Sequence, residues 1–90
     1  MYALIFTDSA KKDISELKRF NSKSYKKLVK LLEELQEHPY SGTGQPEALR
    51  YGYSGCYSRK INKKDRLVYQ INDEKIEVLV ISSKGHYGDK

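Results

Sequence analysis

Cysteine is almost absent from this chain. Cys56 stands alone, which excludes an internal disulfide and a cysteine-based zinc cluster. Tryptophan is missing, and there are only two phenylalanines and two prolines. No apolar run approaches the ~20 residues that cross a bilayer. The apolar opening at residues 2–6 is too short for a signal peptide and lacks a basic flank. No His/Asp/Glu cluster has metal-ligand spacing, and no glycine-rich phosphate loop or internal repeat occurs. These absences predict a soluble cytoplasmic protein with no metal, no cofactor and no membrane segment. The lone Cys56, next to Tyr57 on a strand-like stretch, reads as a small packing residue rather than a nucleophile.

What is present fits one small domain over residues 1–90, with a modest core. The net charge is +5, which suits an acidic partner such as nucleic acid or an acidic protein. Eight tyrosines dominate the aromatics. A tyrosine ring packs in a core and also stacks on bases, so Tyr51, Tyr53 and Tyr57 admit both readings equally.

Residues 2–6 read as a strand, apolar on both sides and therefore expected inside a sheet. Thr7, Asp8 and Ser9 are helix-cap candidates. Ala10, Ile14, Leu17 and Phe20 then recur at helical spacing and define one face. A polar turn at residues 21–24 leads to a second helix over about 25–37. Its stripe is Tyr25, Leu28, Val29, Leu32 and Leu35, with Leu31 beside it. The helix starts basic (Lys23, Lys26, Lys27, Lys30) and ends acidic (Glu33, Glu34, Glu37), opposing its own dipole. That polarity has no stabilising rationale and suggests binding. His38 reads as a polar helix end before Pro39 rather than as a catalyst.

Residues 39–55 are punctuated by Pro39, Gly42, Gly44, Pro46, Gly52 and Gly55 and read as a loop. Within it, residues 47–50 suit a single turn or a short strand. Glu47 is the one acid between Glu37 and Asp65. It is either a surface ion-pair partner or a general base beside cations. Residues 56–61 and 66–71 read as a hairpin closed by the turn 62–65. Leu67, Tyr69 and Ile71 form its buried face, so Arg66 points the other way. Arginines aimed away from a core suggest an anion site, and a solvated basic edge strand is the equal alternative. Residues 76–81 form the most apolar strand and read as central. His86 and Tyr87 follow it closely. The order is βααβββ.

The segments Gly42-x-Gly44-x-Pro46-Glu47-x-Leu49, Ser54 to Ile61, Asp65 to Tyr69 and the terminal His86-Tyr87 resemble the YoeB/Txe toxins of the RelE/ParE superfamily. The resemblance spans nearly the whole chain. It implies an α+β fold with two N-terminal helices on a small, mainly antiparallel sheet, RelE-like and similar to microbial ribonucleases. It implies a metal-independent endoribonuclease that cuts mRNA in the ribosomal A site. It also implies a YefM/Axe-type antitoxin partner, contact with rRNA and mRNA, and a possible homodimer. Carried over by position, it assigns Glu47, Arg66, His86 and Tyr87 to catalysis, and Arg59, Lys60 and Tyr57 to substrate. Tyr57 replaces a Trp common in the family, and Gly88-Asp89-Lys90 extend past the usual end. A non-nuclease ParE-like toxin, or an idle module that binds antitoxin or rRNA, is the alternative.

Overall fold

The computed structural model describes residues 1–44, 46–49 and 55–83. Strand β1 (Ala3–Phe6) is followed by helices α1 (Asp8–Phe20) and α2 (Ser22–Glu37). Strands β2 (Glu47–Ala48), β3 (Cys56–Lys60), β4 (Arg66–Asn72) and β5 (Glu77–Ser82) complete the chain. The strands form one sheet in the order β1-β5-β4-β3-β2. Only the β1–β5 pair is parallel, so the sheet is mainly antiparallel, as the resemblance implied.

Capping residues set the helix boundaries. The Thr7 hydroxyl accepts from Ala10 N at 3.0 Å and opens α1. Asn21 ends α1 and also starts α2, its side chain accepting from Ser24 N at 3.2 Å. A single residue therefore joins the two helices, and a tight helical hairpin follows. Both helices lie on one face of the sheet. Ala10, Leu17, Leu28, Leu31 and Leu35 meet Ile61, Leu67, Tyr69, Val78 and Val80 there.

Three expectations change. Among the described residues strand β1 is an edge strand, with β5 its single neighbour in the sheet. Ala3 and Ile5 are exposed, while Leu4 and Phe6 pack inward on the core. Its outward residues are apolar without being covered, which is why the sequence reads as an interior strand. Phe20 lies outside the α1 apolar face and is 77% exposed. On α2 the buried line is Leu28, Leu31 and Leu35, with Val29 and Leu32 only partly buried. Strand β5, read as central, does lie inside the sheet between β1 and β4. No helix among the described residues is long and apolar enough to cross a membrane.

Candidate active site

The β3–β4 register decides which hairpin side chains share a face. Lys60 pairs with Arg66, Arg59 with Leu67, Ser58 with Val68 and Tyr57 with Tyr69. Directly opposed residues project to the same side. Tyr57 and Arg59 therefore join Leu67 and Tyr69 on the helix-covered face. Lys60 and Arg66 share the other face, open where Lys60 stands, with Ser58 and Val68, which are fully buried there. On the outer edge, Glu47 of β2 pairs with Ser58. Glu47, Ser58, Val68 and Ser82 thus make one row across four strands.

The centre of the candidate site is an ion pair on this open face. Arg66 Nη1 lies 3.5 Å from Glu47 Oε1, with the two side chains 24% and 65% exposed. An exposed pair of this kind contributes at most about 1 kcal/mol, so an incoming anion can displace the carboxylate from the guanidinium. Lys60 is exposed beside Arg66 and supplies a second cation. The hydroxyls of Ser58 and Ser82 are buried under this row with no hydrogen-bond partner. Small polar residues on a strand face beside charges are the sequence signal for that floor.

Arg59 departs from its expected place. Its side chain is fully buried on the other face of the sheet, and its five hydrogen bonds all stay inside the protein. Nε donates to the Tyr69 hydroxyl at 2.9 Å. Nη1 donates to Glu34 Oε1 at 3.1 Å and to the Thr43 carbonyl at 3.5 Å. Nη2 donates to the carbonyls of His38 at 2.6 Å and Ser41 at 2.7 Å. All five guanidinium N–H groups therefore have acceptors. Arg59 also places a positive charge at the C-terminal end of α2, whose last turn has no basic residue. It ties down the loop 38–44 that leads to Glu47. Tyr57, also expected at the substrate, is packed inward as well. Its ring stacks on Tyr69 at 6.1 Å and meets Tyr40 edge-on at 5.7 Å. His86 and Tyr87, with Tyr51 and Tyr53, lie outside the described residues.

The loop around Arg59 leaves no room at Gly42. Its φ is +125°, and a Cβ there would sit 2.5 Å from Glu34 Oε1 and 3.0 Å from Arg59 Nη1. Gly42→Ala should therefore destabilise the fold by roughly 1–3 kcal/mol, read as a lower urea midpoint at unchanged m-value.

Two carboxylates fasten loops and titrate low. Glu34 accepts from the Thr43 hydroxyl at 2.7 Å and the Thr43 amide at 2.8 Å, and these bonds, with the Arg59 charge, hold its pKa below the ordinary value. The hydroxyls of Tyr2 and Tyr40 both donate to Asp73, lowering its pKa in turn. The same bond pushes Tyr40 up to about 12. A depressed carboxylate stabilises the fold above its unfolded pKa and loses that contribution as pH falls through the folded value. Denaturation midpoints should accordingly drop below roughly pH 4, and Glu34→Gln or Asp73→Asn should flatten that acid limb. An unchanged limb in both variants would contradict it. Burial raises the Cys56 thiol, which fits an inert packing residue.

Two helices packed on one face of a small mixed sheet is a fold shared with solved bacterial toxins. A YoeB/ParE toxin from Agrobacterium tumefaciens superposes with a TM-score of 0.89 at 28% identity, covering 94% of this chain and 99% of that one. The toxin of a YoeB–YefM complex from Staphylococcus aureus superposes at 0.83 with 33% identity, covering 97% and 99%. The Staphylococcus aureus YoeB has also been solved as a dimer. A Synechocystis "Toxin YoeB" is 34% identical over 93% of this chain and 95% of its own length. Residues 6–87 match the family described as "YoeB-like toxin of bacterial type II toxin-antitoxin system". The chain belongs to that family of YoeB-like toxins.

Proposed function

We propose that this toxin is a ribosome-dependent endoribonuclease, cutting mRNA in the A site without a metal ion. The observation that carries the reading is the Glu47–Arg66 pair at 3.5 Å, set beside Lys60 on an open sheet face. RNA scission by internal attack needs a base for the 2′-hydroxyl, cations around the phosphorane and an acid for the leaving 5′-oxygen. Glu47 takes the 2′-hydroxyl proton. The freed oxygen attacks phosphorus while Arg66 pairs bidentately with the non-bridging oxygens. His86 protonates the 5′-oxygen as its bond to phosphorus breaks, leaving a 2′,3′-cyclic phosphate and a 5′-hydroxyl. Tyr87 positions the substrate or orients His86, and Lys60 binds the flanking phosphate. Arg59 is assigned a supporting place, because its donors are already committed inside the fold.

The partners follow the same reading. An antitoxin of the YefM type covers the site, since a Staphylococcus aureus relative is held in such a complex, and a net charge of +5 favours fast association with an acidic chain. A homodimer is in keeping with the dimer of that relative. In a purified translation system, cuts should appear only in mRNA engaged by ribosomes with an accessible A site. Equally fast cleavage of the same mRNA without ribosomes would overturn the ribosome dependence.

A further inference from the structure

The reversed polarity of α2 is half explained by Arg59, which supplies the missing cation at the helix end. The basic start remains. It lies against a cleft of about 530 Å³ between the first turns of α2 and the β3–β4 turn. Lys23 and Lys27 approach from the helix, and Lys63 and Lys64 from the turn. Among the described residues no carboxylate lines this hollow, and the first turn of α2 has no acid. Four lysines and the positive end of a helix therefore border one concavity. A solvated basic face would disperse its charges, whereas this one gathers them from two separate elements.

The floor of the cleft is built rather than loose. Asn62 Nδ2 donates to Ser24 Oγ at 2.7 Å and to Asp65 Oδ2 at 3.0 Å. Asn62 Oδ1 accepts from the amides of Lys64 at 2.9 Å and Asp65 at 2.7 Å. The turn is thereby pinned to the start of α2. A second hollow of about 220 Å³ adjoins the first, sharing Asn21 and Lys64 as a wall. Phe20 lines it, 77% exposed, with the Arg19 guanidinium 5.3 Å from its ring centroid. Glu16 and Asp65 stand on its other side.

We propose that these adjoining hollows form a nucleotide-binding exosite for single-stranded RNA. The phosphate sits among Lys23, Lys27, Lys63 and Lys64, and an unpaired base stacks on Phe20. Exposed aromatics beside a basic groove are the general means of holding unpaired nucleotides. The site is separate from the Glu47–Arg66 pair, and neither Lys60 nor Arg66 lines it. It rests on the proposed RNA-cleaving function only for the choice of RNA over other polyanions.

The test is fluorescence anisotropy with a short 2′-O-methyl oligonucleotide, which the toxin cannot cut. Replacing all four lysines with Gln should weaken binding at least 100-fold and lower the salt slope by about 0.7, the share of the one phosphate they hold. Phe20→Ala should weaken binding about 10-fold with the salt slope unchanged, and Phe20→Tyr should restore it. Lys11→Gln with Lys12→Gln removes charge elsewhere on α1 and should leave affinity within about 2-fold. No binding by the wild type at low salt, or indifference to either the lysine or the Phe20 change, overturns the exosite. So does a polyglutamate peptide that binds as tightly as RNA and ignores Phe20→Ala, since the cleft would then dock an acidic protein. Ribosome cleavage measured in parallel separates the two readings. A toxin that cleaves while its RNA binding ignores the cleft retains its function and loses the exosite. One that binds RNA through the cleft but never cleaves does the reverse.

Discussion

Glu47→Gln should fold normally and lower single-turnover cleavage of ribosome-bound mRNA by roughly 10²-fold or more. The side chain is 65% exposed and its one described ion pair is with Arg66, so an amide of the same shape disturbs little packing. What it removes is a proton acceptor next to the phosphate clamp. Arg66→Lys should cost a comparable factor, because an ammonium keeps the charge but not the fork that grips two phosphate oxygens. Combining Glu47→Gln with His86→Gln should lose less than the product of the single effects if base and acid work on one phosphate. Wild-type cleavage by Glu47→Gln would show that the proton leaves by another route, and the role given to this carboxylate would fall.

Arg59→Met should have the largest effect on stability. It strands the carbonyls of His38 and Ser41 and the Tyr69 hydroxyl without their donor, and leaves Glu34 without its cation. Breaking a buried pair from one side typically costs about 3–5 kcal/mol, a large share of the ~5–15 kcal/mol that holds a domain folded. Arg59→Lys should recover only part of this, since one ammonium cannot meet five acceptors spread around a planar fork. Urea unfolding followed by circular dichroism reads both. If Arg59→Met unfolds at the wild-type midpoint yet cleaves poorly, Arg59 reaches the substrate after all. A large drop in the midpoint, with cleavage failing only as folding fails, places it in the frame that holds the loop 38–44 and, through it, Glu47.

Much of this molecule was legible in its residues because the deciding physics is local. Periodicity in Ala10, Ile14 and Leu17 and in Leu28 and Leu35 marks two helices, and the caps Thr7 and Asn21 bound them. The run over residues 76–81 is apolar enough to require an inner strand, and β5 lies there. Glu47 and Arg66 were picked out by residue type and by resemblance, and the sheet places them together. The faces of the hairpin were half legible. Leu67 was already on the buried side, and a turn at residues 62–65 sets Arg59 opposite Leu67. Carrying that register across the turn would have put Arg59 in the core.

Tertiary structure alone decided the rest, since each remaining feature is a contact between segments far apart in the chain. A buried arginine is tolerable only where acceptors converge, and His38, Ser41 and Thr43 do so by folding back over α2. Nothing in the local sequence announces that ring of carbonyls, so charge by itself made Arg59 look exposed. Strand β1 is apolar by composition, yet its place at the edge depends on which strand β5 pairs with on its far side. Likewise, the lysines of α2 and of the β3–β4 turn are 36 or more residues apart in sequence. They become one cleft only because Asn62 closes the turn onto Ser24.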